Sequence, residues 1–386
     1  MKILQIPNYF FPHIGGIEQV ARDIASALKE NPGIEQKIIC FNEDAEAGGY
    51  CCKRGETVCE EIDGIAVTRC GCVTKAASQS LSPAYPAELK KLLDSFDPDI
   101  VIFHYPNPYV ASFLLPMLRK KTKLILYWHL DITKQKHLGK LFHLQNLRLC
   151  RRADKIVATS PNYIEGSRYL SAFREKCVMF PLSISAERLA MTDAVREQTA
   201  RIRRIYRGKT IVFAVGRHVE YKGMDYLVEA AKHLNEEFMI LIGGKGPMTG
   251  ELLREAKPLP NVRMLGRLDD ETLLSCMMAC DIFAFPSITK NEAFGIALAE
   301  ALYCGKPAVT FNIPGSGVNY VSLDGVTGIE CPNRDSRAFA DALQKLADDP
   351  ALRQQYAEAA RQRADSLFLF DAYKTNIQKL IAEVYP

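Results

Sequence analysis

The feature that most limits how this chain can fold is a rhythm, played through twice, of short apolar segments separated by amphipathic ones. Segments 2–7, 37–41, 65–69, 100–104, 123–129, 155–159 and 178–181 are mostly continuous apolar runs. A strand with one wet face alternates apolar and polar residues. A continuous run needs cover on both faces, as in a parallel sheet between two layers of helices. Helices are expected between these strands at 17–29, 86–96 and 138–152. A polar, charged segment at 186–209 follows, and the pattern then restarts. Strands are expected at 210–215, 238–242, 262–265, 282–285 and 308–311, and helices at 223–234, 270–279, 292–303 and 336–347. Segment 371–384 reads as a helix with no strand after it. This alternation defines an α/β chain, and its restart predicts a second α/β domain with a boundary near 183–208. In open α/β sheets, ligands sit beyond the carboxyl ends of the strands. A functional residue should therefore follow a strand or open a helix.

A length of 386 residues fits two domains. No run approaches the ~20 apolar residues of a membrane-spanning helix. The first apolar run is broken by Pro7, Asn8 and Pro12, so it reads as a buried strand and not as a signal peptide. The twelve cysteines are accordingly expected to be reduced thiols in a cytoplasmic protein. Six of them (Cys40, Cys51, Cys52, Cys59, Cys70 and Cys72) cluster, but without the paired C-x2-4-C spacing of zinc sites. Asp97-Pro98-Asp99 has a metal-binding spacing but lies before its strand, at the wrong end for a site. No metal is expected. The net charge of +4 is too mild to imply a nucleic-acid partner. It is unevenly placed: 115–155 holds eleven Lys/Arg and two Asp, and the rest of the chain is net negative.

Several loops carry chemistry at the expected places. Gly15-Gly16 follows the first strand and opens a helix, where close backbone approach and free N–H groups suit an anion, although an ordinary turn looks the same. His129 ends an apolar strand, which fits either a site or a hydrogen-bonded core histidine with Asp131 as a cap. Arg217 and Lys222, flanked by Gly216 and Gly223, lie between a strand and a helix. Two cations there suit a diphosphate, one by a two-pronged contact and one as a point charge. The Gly244 and Gly246 segment lacks a Walker or dinucleotide spacing and reads as a tight loop beside a ligand. Glu292 and Glu300 are eight apart. Helical spacing would put them on nearly one face, the first meeting a sugar and the second gripping paired hydroxyls. Phe294 and Gly295 would offer first-turn N–H groups.

Taken together these motifs resemble glycosyltransferase family 4, retaining enzymes of the GT-B fold, over essentially the whole chain. The carriers are Gly15-Gly16-Ile17-Glu18, Val215-Gly216-Arg217 with Lys222-Gly223, the E-x7-E pair Glu292 and Glu300, and a late loop ending Asp324-Gly325-Val326-Thr327-Gly328. The resemblance implies two Rossmann-like domains facing across a cleft. Residues 1–183 would form the acceptor side, 184–368 the nucleotide-sugar side, and 369–386 a helix returning to the first domain. Arg217 and Lys222 would hold the donor diphosphate, and Glu300 the ribose. Glu292 with the backbone of Phe294, Gly295 and Ile296 would hold the sugar. Gly15, Gly16, Gly244 and Gly246 would line the donor site, Arg267 and Leu268 would meet the base, and His129 would lie against the sugar. One departure is that 314–320 lacks the Glu of a Gly-Gly-x-x-Glu element. Its Gly-Ser-Gly-Val form, with Trp128-His129-Leu130-Asp131, resembles mannosyl- or rhamnosyltransferases of bacterial surface polysaccharides.

The implied activity moves a hexose from a nucleotide-diphosphate sugar to a glycan or lipid-linked acceptor in cell-surface polysaccharide or glycolipid synthesis. A front-face substitution would build charge on the departing diphosphate, where fixed cations act in the transition state. No cofactor or metal is needed for it. The basic stretch 115–155 is expected to lie on anionic lipid at the inner face of the cell membrane. A GT-B-type sugar-nucleotide epimerase and a non-catalytic two-domain binding protein share the architecture. Donor incubated alone is altered by the first, slowly hydrolysed at most by a transferase, and untouched by the second.

Overall fold

The computed structural model describes residues 1–13, 15–44, 49–76, 79–132 and 142–386. The chain divides into two compact units, Met1–Leu182 with Asp371–Pro386, and Ser183–Phe370.

The first unit is built on an eight-stranded sheet. Its spatial order is Cys177–Met179, Lys155–Ala158, Lys123–Trp128, Ile100–Tyr105, Lys2–Ile6, Glu35–Phe41, Ile65–Cys70 and Val58–Ile62. All neighbours are parallel except the last, which folds back antiparallel as an edge. Ile100–Tyr105 is buried at every position, as a strand covered on both faces must be. The edge strand Val58–Ile62 has three exposed central residues, which is why no apolar run announces it. Helix Pro108–Met117 was also not expected. It is capped by the Asn107 side chain, which accepts from the Val110 N–H at 3.2 Å, and it carries prolines at its first and ninth positions. Of the helix expected at 138–152, His143–Arg152 is described and helical; 133–141 lie outside the described residues.

Helix Phe370–Val384 completes this unit, burying Tyr373, Ile377, Leu380, Ile381 and Val384. The Tyr373 hydroxyl donates to the Tyr127 hydroxyl at 3.2 Å, and Gln378 Nε2 donates to the Ala27 carbonyl at 3.3 Å.

The second unit has a six-stranded, all-parallel sheet, in the order Val262–Gly266, Phe238–Gly243, Thr210–Val215, Ile282–Phe285, Ala308–Phe311 and Gly328–Cys331. Strand order reverses between Thr210–Val215 and Ile282–Phe285, so the loops after these two neighbouring strands flank the switch point where ligands bind. The segment expected to be merely polar, 186–209, contains helix Asp193–Ile205, capped by Thr192 accepting from the Val195 N–H at 3.2 Å. The late loop is part of this scaffold. The Thr327 hydroxyl is fully buried and accepts from the Leu323 N–H at 2.8 Å, closing the turn that leads into Gly328–Cys331.

Three of the six clustered cysteines of the first unit pack as core, and Cys59 is exposed. Cys40, Cys70 and Cys72 are buried, and burial pushes the Cys40 and Cys72 thiols up to about 12. Cys52 Sγ meets the Asn42 side chain at 3.2 Å, and the same amide donates to the carbonyls of Lys53 and Glu56, pinning the loop. Among the described residues no helix is long and apolar enough to cross a membrane.

Helix Gly16–Lys29 carries a buried acid in its first turn. Burial pushes the Glu18 carboxyl up to about 7, and His13 Nε2 lies 3.8 Å away. A raised carboxyl favours folding below its unfolded value and loses that contribution as pH rises through about 7. A shift of this size corresponds to about 3 kcal/mol at alkaline pH. Glu18→Gln should therefore unfold at a higher temperature than the parent at pH 8, with the gain gone by pH 4.5. An equal effect at both pH values would show that Glu18 is not held protonated.

Candidate active site

Two loops of the second unit meet at the switch point. The first leaves strand Thr210–Val215 as Gly216, Arg217 and His218, passes through a short 3-10 turn at Glu220–Lys222, and enters helix Met224–Ala231. Arg217 is exposed and makes no ion pair among the described residues. Lys222 is mostly buried. Its Nζ pairs with the Glu292 carboxylate and lies 5.2 Å from the Phe285 ring centre and 5.6 Å from that of Tyr221. Burial pulls the Lys222 pKa down, but the Glu292 carboxylate more than offsets this and the net shift is upward. Lys222 is thus charged at neutral pH.

The second loop follows strand Ile282–Phe285. Here the expected helical relation between the two acids fails. The helix begins at Ile296, with Gly295 as its cap at φ +94°, so Glu292 lies in the preceding loop and not on the face that carries Glu300. Glu292 is instead positioned by partners. Ser287 Oγ donates to its carboxylate at 3.1 Å, and Ser316 Oγ donates to its carbonyl. Ser316 belongs to the Gly315-Ser316-Gly317 segment that departs from the family pattern. Gly317 packs directly on the loop: a Cβ there would lie 2.0 Å from the Ala293 carbonyl oxygen. The first-turn N–H groups of Ile296 and Ala297 have no acceptor within their helix.

Glu300 is buried within the helix Ile296–Tyr303. Burial raises its pKa, and Arg188, donating from Nη2 to Oε1 at 2.9 Å, acts in the opposite direction. Sequence reading missed Arg188. It lies 112 positions from its partner in a segment read only as polar, and no local signal marks it.

The Gly244 and Gly246 loop was read as a place where backbone approaches a ligand. Its backbone also approaches protein closely. A Cβ on Gly244 would lie 1.9 Å from the Gly216 carbonyl oxygen. The Gly244 N–H donates to the Gly266 carbonyl at 2.6 Å, and the Gly246 N–H to Thr249 Oγ1 at 2.8 Å. His218, buried between the two loops, contacts the same Thr249 hydroxyl at 3.0 Å. This loop therefore shapes the Arg217 loop from behind. Arg267 is exposed, and the Leu268 side chain rests on Gly243.

In the first unit, Gly15 caps helix Gly16–Lys29 with extended backbone. His129 sits one residue past strand Lys123–Trp128 and is 5 % exposed, with its N–H bonded to the Tyr105 carbonyl at 3.0 Å. Burial, with the adjacent His104 ring second, holds its pKa well below the usual histidine value. Asp131 has side-chain partners in this unit. Its carboxylate accepts from Trp128 Nε1 at 3.0 Å and from Ser167 Oγ at 2.8 Å. Asp97 and Asp99 are also accounted for: Asp97 pairs with Arg119 and Lys121, both at 2.6 Å, and Asp99 accepts from the Lys2 N–H at 2.8 Å.

Residues 15–183 match the family model described as a glycosyl transferase 4-like domain, and residues 195–363 match glycosyl transferases group 1. The chain is 28 % identical over 380 residues to the O-antigen chain mannosyltransferase C of Escherichia coli, covering 97 % of each. It is 28 % identical over 373 residues to the D-rhamnosyltransferase WbpZ of Pseudomonas aeruginosa, covering 95 % of this chain and 92 % of the relative. Among solved structures it resembles the sucrose-phosphate synthase of Thermosynechococcus elongatus (TM-score 0.78, 18 % identity, 100 % and 99 % coverage). It also resembles Anabaena HepE in complex with UDP-glucose (TM-score 0.73, 18 % identity, 99 % and 100 % coverage). Both share the GT-B fold.

The Gly317 contact can be tested directly. Gly317→Ala must push the backbone of Ala293, and overpacking of this kind costs about 1–3 kcal/mol. It should lower the melting temperature and displace Glu292, with at least a ~10-fold loss of turnover. Parental stability and turnover in this variant would show that the loop yields freely.

Proposed function

We propose, for a chain that belongs to the group 1 glycosyl transferases and carries a glycosyl transferase 4-like N-terminal half, a retaining, metal-independent transfer. A hexose passes from a nucleotide-diphosphate sugar to a glycan or lipid-linked acceptor in cell-surface polysaccharide or glycolipid synthesis. The two long relatives, a mannosyltransferase of O-antigen chains and a rhamnosyltransferase, support that acceptor class, and UDP-glucose bound to a structural neighbour supports that donor class. The observation that carries the reading is the presence, in one strand-to-helix loop at the switch point, of an exposed Arg217 with no ion pair among the described residues and a mostly buried, charged Lys222.

In this reading the second unit binds the donor and the first the acceptor. Arg217 grips the diphosphate with its planar fork, and Lys222 meets it as a point charge. The arriving phosphate replaces Glu292 as the counter-charge of Lys222, which releases that carboxylate to accept from sugar hydroxyls. The N–H groups near Phe294, Gly295 and Ile296 face the same sugar. Glu300 keeps one oxygen on Arg188 and offers the other to the ribose hydroxyls. Arg267 and Leu268 meet the base, and His129 meets the sugar. As the bond to the anomeric carbon breaks, negative charge grows on the diphosphate, and both cations stabilise it more than they stabilise the ground state.

Arg217→Ala and Lys222→Ala should each lower kcat by about 100-fold, equivalent to ~2.7 kcal/mol of transition-state stabilisation. The assay uses the donor chosen by a thermal-shift screen of UDP-, GDP-, ADP- and dTDP-sugars, with excess EDTA present throughout. Turnover near the parental rate in both variants, or activity that vanishes in EDTA, would remove this mechanism.

The same reading places the protein in the cytoplasm, in contact with the inner face of the membrane. The contact is narrower than the basic stretch suggested. Arg119, Lys121, Lys123, Arg152 and Lys155 all pair with acids, and Lys134, Lys136 and Lys140 lie outside the described residues. Helix His143–Arg152 still presents Leu144, Arg148 and Arg151 to solvent along one face. Each basic residue near an anionic surface contributes ~1 kcal/mol. The full chain should float with phosphatidylglycerol liposomes, and Arg148→Glu with Arg151→Glu should abolish this. Flotation that ignores anionic lipid would sink the membrane contact.

A further inference from the structure

Three buried polar side chains of the first unit form a line, and the transfer reading uses only its last member, His129. Gln5, His104 and His129 come from three adjacent strands: Lys2–Ile6, Ile100–Tyr105, and the end of Lys123–Trp128. Gln5 stands opposite Ile102, and His104 stands opposite Tyr127. Tyr127 and His129 are two apart, so both reach the face that His104 occupies. The rings stack: His104 on Tyr127 at 5.6 Å, Tyr127 on His129 at 4.8 Å, and His104 on His129 at 5.2 Å. His104 Nδ1 lies 2.9 Å from His129 Nε2, and His104 Nε2 lies 3.4 Å from Gln5 Oε1.

All three side chains are at most 5 % exposed. Burial pushes the His104 pKa down to about 3 and holds His129 well below its usual value, so both rings are neutral. A neutral imidazole has one N–H and one lone pair, and an amide oxygen can only accept. With its oxygen turned to His104, Gln5 places the His104 proton on Nε2. His104 Nδ1 is then a lone pair, and it must accept from His129 Nε2–H. The remaining nitrogen of His129, Nδ1, is left without a proton. It has no hydrogen-bond partner among the described residues, nor is it among their fully buried, unpartnered side-chain atoms.

We infer that Gln5 and His104 are positioning residues that lock His129 as its Nε2–H tautomer, so that His129 meets the substrate as a hydrogen-bond acceptor for a sugar hydroxyl through Nδ1. This rests on the reading above that His129 touches the transferring sugar. The tautomer of a histidine is set by the bond its other nitrogen makes, and here that bond is set one residue further back. The chain selects a hydroxyl donor at this point, and a substrate with an ether or carbonyl oxygen there would set one acceptor lone pair against another.

The test is nitrogen NMR on the full chain with 15N-labelled histidine, the two ring systems being assigned by loss of signal in His104→Phe and His129→Asn. Without ligand, His129 Nε2 should carry the proton and Nδ1 should show the shift of a bare imine nitrogen. Gln5→Met, which has similar bulk but no acceptor oxygen, should leave His129 as a mixture of tautomers, as should His104→Phe. A proton on Nδ1 in the parent, or a His129 spectrum unmoved by both variants, overturns the tautomer lock. UDP-glucose, GDP-mannose, ADP-glucose and dTDP-rhamnose are then titrated separately. At least one should move the Nδ1 resonance, and in Gln5→Met that shift should fall at least about tenfold in affinity while the melting temperature stays within a few degrees. An Nδ1 resonance that none of the four moves overturns the substrate contact, and so the earlier reading of His129, while leaving the ligand-free assignment standing.

Discussion

The ion pair between Lys222 and Glu292 ties together the two loops from which the second unit builds its site. Each loop leaves the carboxyl end of a strand, and the two strands are neighbours, Val212 standing opposite Ile282. Both charges are largely withdrawn from water. Desolvating them is expensive, and their mutual attraction repays it only because further partners complete the arrangement. The faces of Phe285 and Tyr221 lie around the ammonium, and Ser287 donates to the carboxylate. Removing one partner of such a pair strands the other as a buried charge, at a cost of about 3–5 kcal/mol. The loop that holds Glu292 is fixed from beneath by Ser316 and by a contact at Gly317 with no room for a side chain. The segment that looked like a departure from the family pattern is therefore a support for the acid that the pattern names.

Much of this was legible in the sequence because burial on both faces leaves a plain trace. Strands Thr210–Val215, Ile282–Phe285 and Ala308–Phe311 were read at their observed bounds, since each is an apolar run with turn residues on both sides. Helix Asp270–Ala279 was equally clear, with Asp269 accepting from the Thr272 N–H at 2.7 Å as a side-chain cap. The placement of Arg217 and Lys222 between a strand and a helix followed from the same punctuation.

What was not legible lacks such a trace. Val58–Ile62 is an edge strand whose exposed residues match a loop in composition. Helix Pro108–Met117 is apolar nearly all round and bracketed by prolines, so it shows neither a helical stripe nor a strand alternation. The Glu292 to Glu300 spacing suggested one continuous helix; a left-handed glycine at 295 breaks that inference, because the register restarts there. Arg188 and His104 are the instructive omissions. Each acts on a partner far off in sequence, over 112 positions in one case and 25 in the other. Only the tertiary fold brings them together, and for His104 it is the sheet that aligns its strand with the one leading to His129. A reading of the sequence finds the groups that face a ligand sooner than the groups that hold them in place.

Segment 371–386 belongs to the first unit, although the whole of the second unit separates it from the rest. Tyr373 reaches Tyr127, Gln378 reaches Ala27, and Lys374 pairs with Glu30 at 3.1 Å. Synthesis runs in the opposite order to completion. Residues 183–370 are contiguous and leave the ribosome as a finished domain, whereas the domain begun first keeps an apolar side uncovered until helix Phe370–Val384 emerges. The nascent first domain is thus exposed to wrong partners for longer than any other part of the chain, and the helix that ends this exposure is the last one made of those described here.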